Sequence, residues 1–193
     1  EGYTYVPNDN FEQALIDLGY DDVIDNYVFT DSINSVTLLD VASKGISNMT
    51  GIEDFTQLEV LNCRVNQLTS LNVSNNTVLT NLKCEQNQIT SLDVSNNPLL
   101  TEIECGGDDN QQFASLDVSN NTLLYKLYCA NLGLTSLDVS NNTALNELNV
   151  VSNQLTSLDV SANTSLTLLK CPGNQLTSLD VSTNTALEIL DLW

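Results

Sequence analysis

A nine-residue phrase returns along this chain at a nearly constant step, and no other feature narrows the possible folds as much. LTSLNVSNN begins at Leu68, ITSLDVSNN at Ile89, FASLDVSNN at Phe113, LTSLDVSNN at Leu134, LTSLDVSAN at Leu155 and LTSLDVSTN at Leu176. The step is 21 residues, except for one of 24 between Ile89 and Phe113. A second phrase, L-x-x-L-x-C-x-x-N-x-L, lies between the copies. It runs from Leu58 through Leu61, Cys63 and Asn66 to Leu68, and from Leu79 through Leu82, Cys84 and Asn87 to Ile89. It runs again from Leu166 through Leu169, Cys171 and Asn174 to Leu176. The copy from Leu145 has Val150 in the cysteine slot and keeps Asn153, whereas the copy from Leu124 keeps Cys129 and puts Leu132 in the asparagine slot. A looser copy (Val36, Leu39, Val41, Ile46, Met49, Ile52, Phe55) comes first, and a half copy (Leu187, Leu190, Leu192) stops at Trp193.

One coil of this length cannot cover its own apolar residues, so coils must stack and bury a continuous core between them. The L-x-x-L-x-C segment predicts one short strand per coil, paired in parallel with the next. Eight such strands at about 4.8 Å each give a sheet roughly 35 Å long. The L-T-S-L-D-V segment alternates apolar and polar residues and is expected to be extended on the opposite side. Asn66, Asn87, Asn153 and Asn174 recur where the chain turns inward after the strand, and an asparagine there can satisfy turn backbone that water cannot reach. A second column, Asn76, Asn97, Asn121, Asn142, Asn163 and Asn184, is given the same structural role. Cys63, Cys84, Cys105, Cys129 and Cys171 share one slot, filled elsewhere by Val41, Val150 and Leu192. A slot that accepts Val or Leu asks for a compact apolar side chain, so the five cysteines are expected to be buried free thiols. Side chains aligned on in-register strands do not suit disulfide torsion, and a straight column cannot surround a tetrahedral metal.

At this point the chain resembles the leucine-rich-repeat family, in the short-repeat type of secreted Bacteroidetes proteins with an internalin-like start. The resemblance covers about residues 36 to 193. It implies an α/β-type repeat solenoid: a right-handed superhelix with the parallel sheet on its concave face, extended segments on the convex side and a short N-terminal cap helix. It also implies a non-catalytic binding scaffold, exported and attached to the cell surface.

The expected division is an N-terminal helical cap over 1–35 and a solenoid over 36–193, with about seven full repeats and a truncated last one. Within the cap, Asp9 followed by Glu12 fits a capping box, and Phe11, Ala14, Leu15 and Leu18 fall at helical spacing until Gly19 stops the helix. Asp21, Asp22 and Asp25 read as a solvated acidic turn, since their spacing matches no calcium loop. At the other end the chain stops inside a strand. An open parallel edge there points either to a longer natural chain or to edge-to-edge self-association.

Charge narrows the partners. Twenty-five acidic and five basic residues give a net charge of −20, which argues against nucleic acid and against anionic membrane surfaces. No apolar run reaches the roughly 18 to 20 residues of a membrane span. The five basic residues are all expected on or beside the sheet. The residues flanking the central leucine of each strand should point outward in two columns. One reads Asn62, Lys83, Glu104, Tyr128, Asn149, Lys170, Asp191; the other reads Leu38, Val60, Asn81, Glu102, Lys126, Glu147, Leu168, Ile189. Cross-strand pairing of Lys83 with Glu104, of Lys126 with Glu102 and Glu147, and of Lys170 with Asp191 would contribute about 0.2 to 1 kcal/mol each.

Tyr125, Lys126 and Tyr128 stand where Thr or Asn is usual, and tyrosine offers large area at low entropy cost. The extra three residues fall just before them, in Gly106-Gly107-Asp108-Asp109-Asn110-Gln111-Gln112. Insertions in solenoids map to loops that often line the binding side. The predicted ligand site therefore comprises Lys83, Glu102, Glu104, Tyr125, Lys126, Tyr128, Asn149 and Lys170 with Asp108 and Asp109 of the loop. On the far side Asp93, Asp117, Asp138, Asp159 and Asp180 form a like-charged column, with serines that can donate to it; it reads as a solvated face, with weak calcium binding the alternative.

Nothing here reads as an enzyme. Histidine is absent, and there is no nucleophile elbow or phosphate-cradling loop. Glu102 and Glu104 share a strand face, but an open face does not desolvate one acid, and lysine neighbours lower its pKa. Neither a cofactor nor a metal is called for. The functional readings are a recognition module for a protein or polysaccharide, a structural spacer or adhesion scaffold of a larger surface protein, and, remotely, a glycan hydrolase.

Overall fold

Each coil places a single leucine or isoleucine between two outward-facing residues, and that tripeptide is the strand. The computed structural model describes residues 2–107 and 113–192. Its strands β3 (Leu38–Asp40), β4 (Val60–Asn62), β5 (Asn81–Lys83), β6 (Glu102–Glu104), β7 (Lys126–Tyr128), β8 (Glu147–Asn149), β9 (Leu168–Lys170) and β10 (Ile189–Asp191) lie side by side in chain order. All neighbours are parallel, and the central residues Leu39, Leu61, Leu82, Ile103, Leu127, Leu148, Leu169 and Leu190 are in register. The cysteine slot prolongs the ladder by one bond. Cys63 N donates to Lys83 O at 2.8 Å, Cys84 N to Glu104 O at 2.8 Å and Cys129 N to Asn149 O at 2.9 Å. All five cysteines are buried free thiols.

After the slot the chain must reverse, and it does so through a left-handed residue: Ser43, Val65, Gln86, Asn131, Ser152 and Gly173 all have φ between 54° and 70°. Five of the six carry a Cβ, and in Val65 the β-branch makes this conformation costly. The next residue in most coils is the asparagine of the strand phrase, and it clamps the turn. Asn66 Nδ2 donates to Val41 O and Cys63 O, both at 2.9 Å, while its Oδ1 accepts from Lys44 N (3.1 Å) and Ile46 N (2.9 Å). Such a clamp ties each coil to its predecessor through backbone that is cut off from water. The second asparagine column forms a spine on the other side of the core. Asn97, Asn121, Asn142, Asn163 and Asn184 each donate to the backbone carbonyl of the asparagine one coil earlier, all at 2.9 Å. Neither helix nor strand forms between these columns in the regular coils.

At Leu132 the clamp is missing. Phe113 N reaches Leu132 O at 2.8 Å, whereas the regular coils bond a position one residue before the leucine phrase to the coil behind, as in Gln88 N to Leu68 O. Leu132 stands in the coil that follows the one carrying the three extra residues, and its own turn keeps the left-handed residue, at Asn131 (φ 58°).

The non-repeating start closes the first coil. A two-stranded antiparallel hairpin of β1 (Tyr3–Tyr5) and β2 (Tyr27–Phe29) encloses helix α1 (Asp9–Asp17) and is followed by the short helix α2 (Thr30–Ile33). The helix cap differs from the sequence expectation. Asn8, not Asp9, is the N-cap, with its side chain accepting from Phe11 N at 3.0 Å. Glu12 does not turn back to complete a capping box. It is fully buried, and its Oε1 accepts from Asp25 N (2.9 Å) and Tyr27 N (3.1 Å). A carboxylate without access to water needs donors, and the segment returning to β2 supplies two. Helix α1 ends in a Schellman arrangement: Gly19 (φ 82°) N bonds Ile16 O and Tyr20 N bonds Leu15 O, each at 2.9 Å. The hairpin then docks on the first coil at Gly51 (φ 103°), where a Cβ would sit 2.9 Å from Tyr5 O. Among the described residues no helix is long and apolar enough to cross a membrane.

Candidate binding face

The parallel register lays the two outward columns on one face of the sheet. Opposite charges meet there, but not all across the pairs that register alone suggests. Glu104 gathers both nearby lysines: Lys126 Nζ lies 2.5 Å from its Oε1 and Lys83 Nζ 3.4 Å away. Lys126 thus reaches diagonally from one column to the other, and pairs with neither Glu102 nor Glu147, its register neighbours. Its ammonium also stands 4.3 Å above the centroid of the Tyr128 ring, a cation–π contact that the diagonal geometry allows. The Tyr128 hydroxyl donates to Glu147 Oε2 at 2.5 Å. Among the described residues Lys170 makes no ion pair with Asp191. Lys44 leaves the face altogether and bonds Asp17 of α1 at 3.0 Å, because the cap brings a carboxylate within its reach.

These contacts set the ionisation of the cluster. Burial alone would raise the Glu104 carboxyl, but the Lys126 hydrogen bond, the neighbouring Glu85 carboxyl and the two ammonium charges outweigh it and hold the group below its ordinary value. Burial and the neighbouring Glu104 push Glu85 up. Burial opposes the charge on Lys126, yet Glu104 raises its pKa overall. The Tyr128 phenol is raised by burial and by its bond to Glu147. Since Glu104 is depressed on folding, its contribution to stability is present above the ordinary carboxylate range and is lost as pH falls through its own lowered value. Lys126→Met is therefore expected to cost about 1 kcal/mol near neutral pH, with the difference from wild type shrinking below about pH 4. Urea unfolding across this pH range measures it, and a difference that grows in acid would contradict the pairing.

Tyr125 sits just before β7 and is 47% exposed, while Tyr128 is half-buried. Past the ends of β4 to β8 lies a shallow depression of about 470 Å³ whose lining includes Arg64, Glu85, Gly106, Gly107, Tyr128 and Asn149. Gly106 lets the two coils approach closely there, since a Cβ would stand only 3.1 Å from Ala130 O. Lys83, Glu102, Glu104, Lys126, Tyr128, Asn149 and Lys170 are thus on one continuous face, with Tyr125 at its edge. Asp108 and Asp109 lie outside the described residues. Glu85 was not singled out from the sequence, because it follows the cysteine slot at the turn and no strand alternation marks it. On the opposite side, Asp93, Asp117, Asp138, Asp159 and Asp180 each accept from the backbone N–H two residues on, at 2.8 to 2.9 Å. Serine hydroxyl and backbone donors lower all five carboxyls and offset their mutual repulsion. Among the described residues no group of three or more candidate ligands is placed to hold a metal ion.

No protein-family model matches this sequence, and no curated protein does. Solved structures do. The functional domain of InlJ from Listeria monocytogenes, described as including a cysteine ladder, is 31% identical over 96% of this chain and 51% of its own, with a TM-score of 0.61. A leucine-rich-repeat protein of Leptospira interrogans is 23% identical over 82% of this chain and 41% of its own, with a TM-score of 0.67. The leucine-rich-repeat ectodomain of the receptor kinase GASSHO1/SCHENGEN3 from Arabidopsis thaliana, in complex with Casparian strip integrity factor 2, is 24% identical over 86% of this chain and 22% of its own, with a TM-score of 0.73. The chain spans about half the length of the InlJ domain and less of the other two.

Proposed function

Starting from the fact that this chain is a leucine-rich-repeat solenoid, with internalins and other leucine-rich-repeat proteins as its structural neighbours, we propose that it is an exported binding module. In this reading it holds a protein ligand against the outer face of its sheet, around Tyr125, Lys126 and Tyr128. The observation that carries the reading is the fixed network of that face. Lys126 is held between Glu104 and the Tyr128 ring, and Tyr128 is held by Glu147. Side chains already arranged before contact lose little rotamer entropy on binding, so more of the contact energy appears as affinity. Tyr125 adds exposed aromatic area beside them. The alternating charges suit a protein surface better than a neutral polysaccharide, and the complex formed by the Arabidopsis ectodomain supports a protein occupant. Catalysis is not favoured: Glu104 is held ionised by two lysines, and the depression beside Glu85 is shallow and open, so it does not enclose a substrate around that carboxyl.

The test compares wild type with a Tyr125→Ala, Tyr128→Ala double variant on arrays of extracellular proteins and glycans. Ligands captured by wild type should bind the variant at least about tenfold more weakly, as for aromatic hot spots. Capture unchanged by the double substitution, or capture confined to glycans, would overturn this assignment.

A further inference from the structure

The β1–β2 hairpin presents a second surface, on the cap and away from the sheet. Its inner residues, Thr4 and Val28, are buried, and Thr4 Oγ1 donates to Asp54 Oδ2 at 2.6 Å, so the hairpin cannot roll over. Its outer residues are all aromatic: Tyr3 pairs with Phe29 and Tyr5 with Tyr27 in register. They are 60%, 48%, 51% and 47% exposed, respectively. The rings pack on one another, with centroids 4.4 Å apart for Tyr3–Phe29 and 5.4 Å for Tyr5–Tyr27. Cross-strand stacking helps a hairpin of six residues to form. That role needs neither four rings nor three phenols left half in water.

The charge around the rings indicates what covers them. From Gly2 to Lys44 the sequence holds eight acidic residues against one lysine, Lys44, which pairs with Asp17; Asp25 and Asp31 stand two residues from Tyr27 and Phe29. Aromatic faces in a negative field attract cations twice over, through the ring quadrupole and through Coulomb attraction. A neutral sugar chain gains nothing from the field. It stacks best on a flat platform, whereas these rings stand 31°, 47° and 84° from one another. We propose that the outer face of the β1–β2 hairpin is a docking site for an extended, arginine- or lysine-bearing segment of a partner protein. The site is independent of the ligand bound on the sheet.

The probe is a fluorescein-labelled decapeptide of alternating Arg and Ser, titrated against the full chain by anisotropy. Because a protein of net charge −20 attracts any polycation, two variants are compared with wild type. Tyr5→Thr with Tyr27→Thr removes two rings but keeps strand-forming residues; Asp117→Asn with Asp138→Asn removes two charges far from the cap. The ring variant should lose about tenfold in affinity, at about two- to fivefold per ring, and the charge variant less than about twofold. Equal affinity of the ring variant and wild type would overturn the site, as would an equal loss in both variants. Binding of cellohexaose that disappears in the ring variant would also overturn it, and would assign the surface to sugar. If the threonine pair melts below wild type, Tyr5→Leu with Tyr27→Leu repeats the comparison with the apolar area kept. Retained affinity in that folded pair overturns the cation–π assignment.

Discussion

Asn153→Ala is expected to be among the most damaging single truncations of a polar side chain in this molecule, together with its counterpart at Asn66. Asn153 Oδ1 accepts from Leu132 N (3.2 Å) and Leu134 N (3.0 Å), and its Nδ2 donates to Cys129 O (2.9 Å) and Val150 O (3.0 Å). Alanine removes these four bonds in a place water does not reach, although Val150 O keeps one from Asn174 Nδ2 at 2.9 Å. Each group left without a partner costs about 1 to 3 kcal/mol, and because these groups share one site the sum is not additive, so a loss of about 3 to 5 kcal/mol is expected. A solenoid is held by nearest-neighbour contacts, so the damage should be local. Hydrogen exchange of Leu132 and Leu134 amides should accelerate first, and proteolysis should begin in that coil. Asn149→Ala is the control. That residue lies on the outer face and accepts one bond, from Val151 N at 3.1 Å, so its loss should cost less than about 1 kcal/mol. Similar destabilisation by the two variants would show that the turn clamp carries no special weight.

The cysteine column should make the protein fail in alkali. Burial pushes the Cys63 and Cys129 thiols up to about 12, and Cys84 and Cys105 well above their ordinary range; Cys171 is raised as well. An unfolded thiol ionises near about 8.5. Folded values lie above the unfolded value, so this stability is fully present below about pH 8.5 and is lost as pH rises toward about 12. Each thiol that ionises only on unfolding adds up to about 1.4 kcal/mol of lost stability per pH unit. Replacing Cys84 and Cys105 by Val, the residue found in this slot at Val41 and Val150, should flatten the alkaline fall by nearly half while leaving stability at pH 7 within about 2 kcal/mol. Urea midpoints at pH 8 and pH 10.5 test the slope. The native thiols should also resist Ellman's reagent at pH 8 until the chain unfolds. Rapid labelling of the folded protein, or an unchanged alkaline slope in the valine variant, would show that the thiols are not the cause.

The repeated coils were legible because each residue's neighbours are its counterparts one coil away. Once the step is known, Leu61 must lie beside Leu82, and Lys83 beside Glu104. The step therefore sets the sheet, its register, the apolar columns and the face that carries Lys126 and Tyr128. It does not set which partner a long side chain chooses among several in reach. Lys126 took Glu104 diagonally, and Lys44 turned to Asp17, a residue of the cap that no periodicity links to it.

Residues outside the repeat were harder to read. Helix α1 was visible from its apolar spacing and from Gly19, but its cap was not, because Asn8 and Asp9 are both competent caps and only the burial of Glu12 decides between them. The hairpin went unread although Tyr3-Thr4-Tyr5 and Tyr27-Val28-Phe29 both alternate. Three residues are too few for a strand signal, and the two strands meet across more than twenty residues of intervening chain. By itself the sequence determined the solenoid, the inward thiols and the outward columns, since those follow from a period that each coil repeats. Only the tertiary structure decided the diagonal ion pair, the cap of α1 and the aromatic face of the hairpin, since each depends on contacts made once, between segments with no fixed spacing.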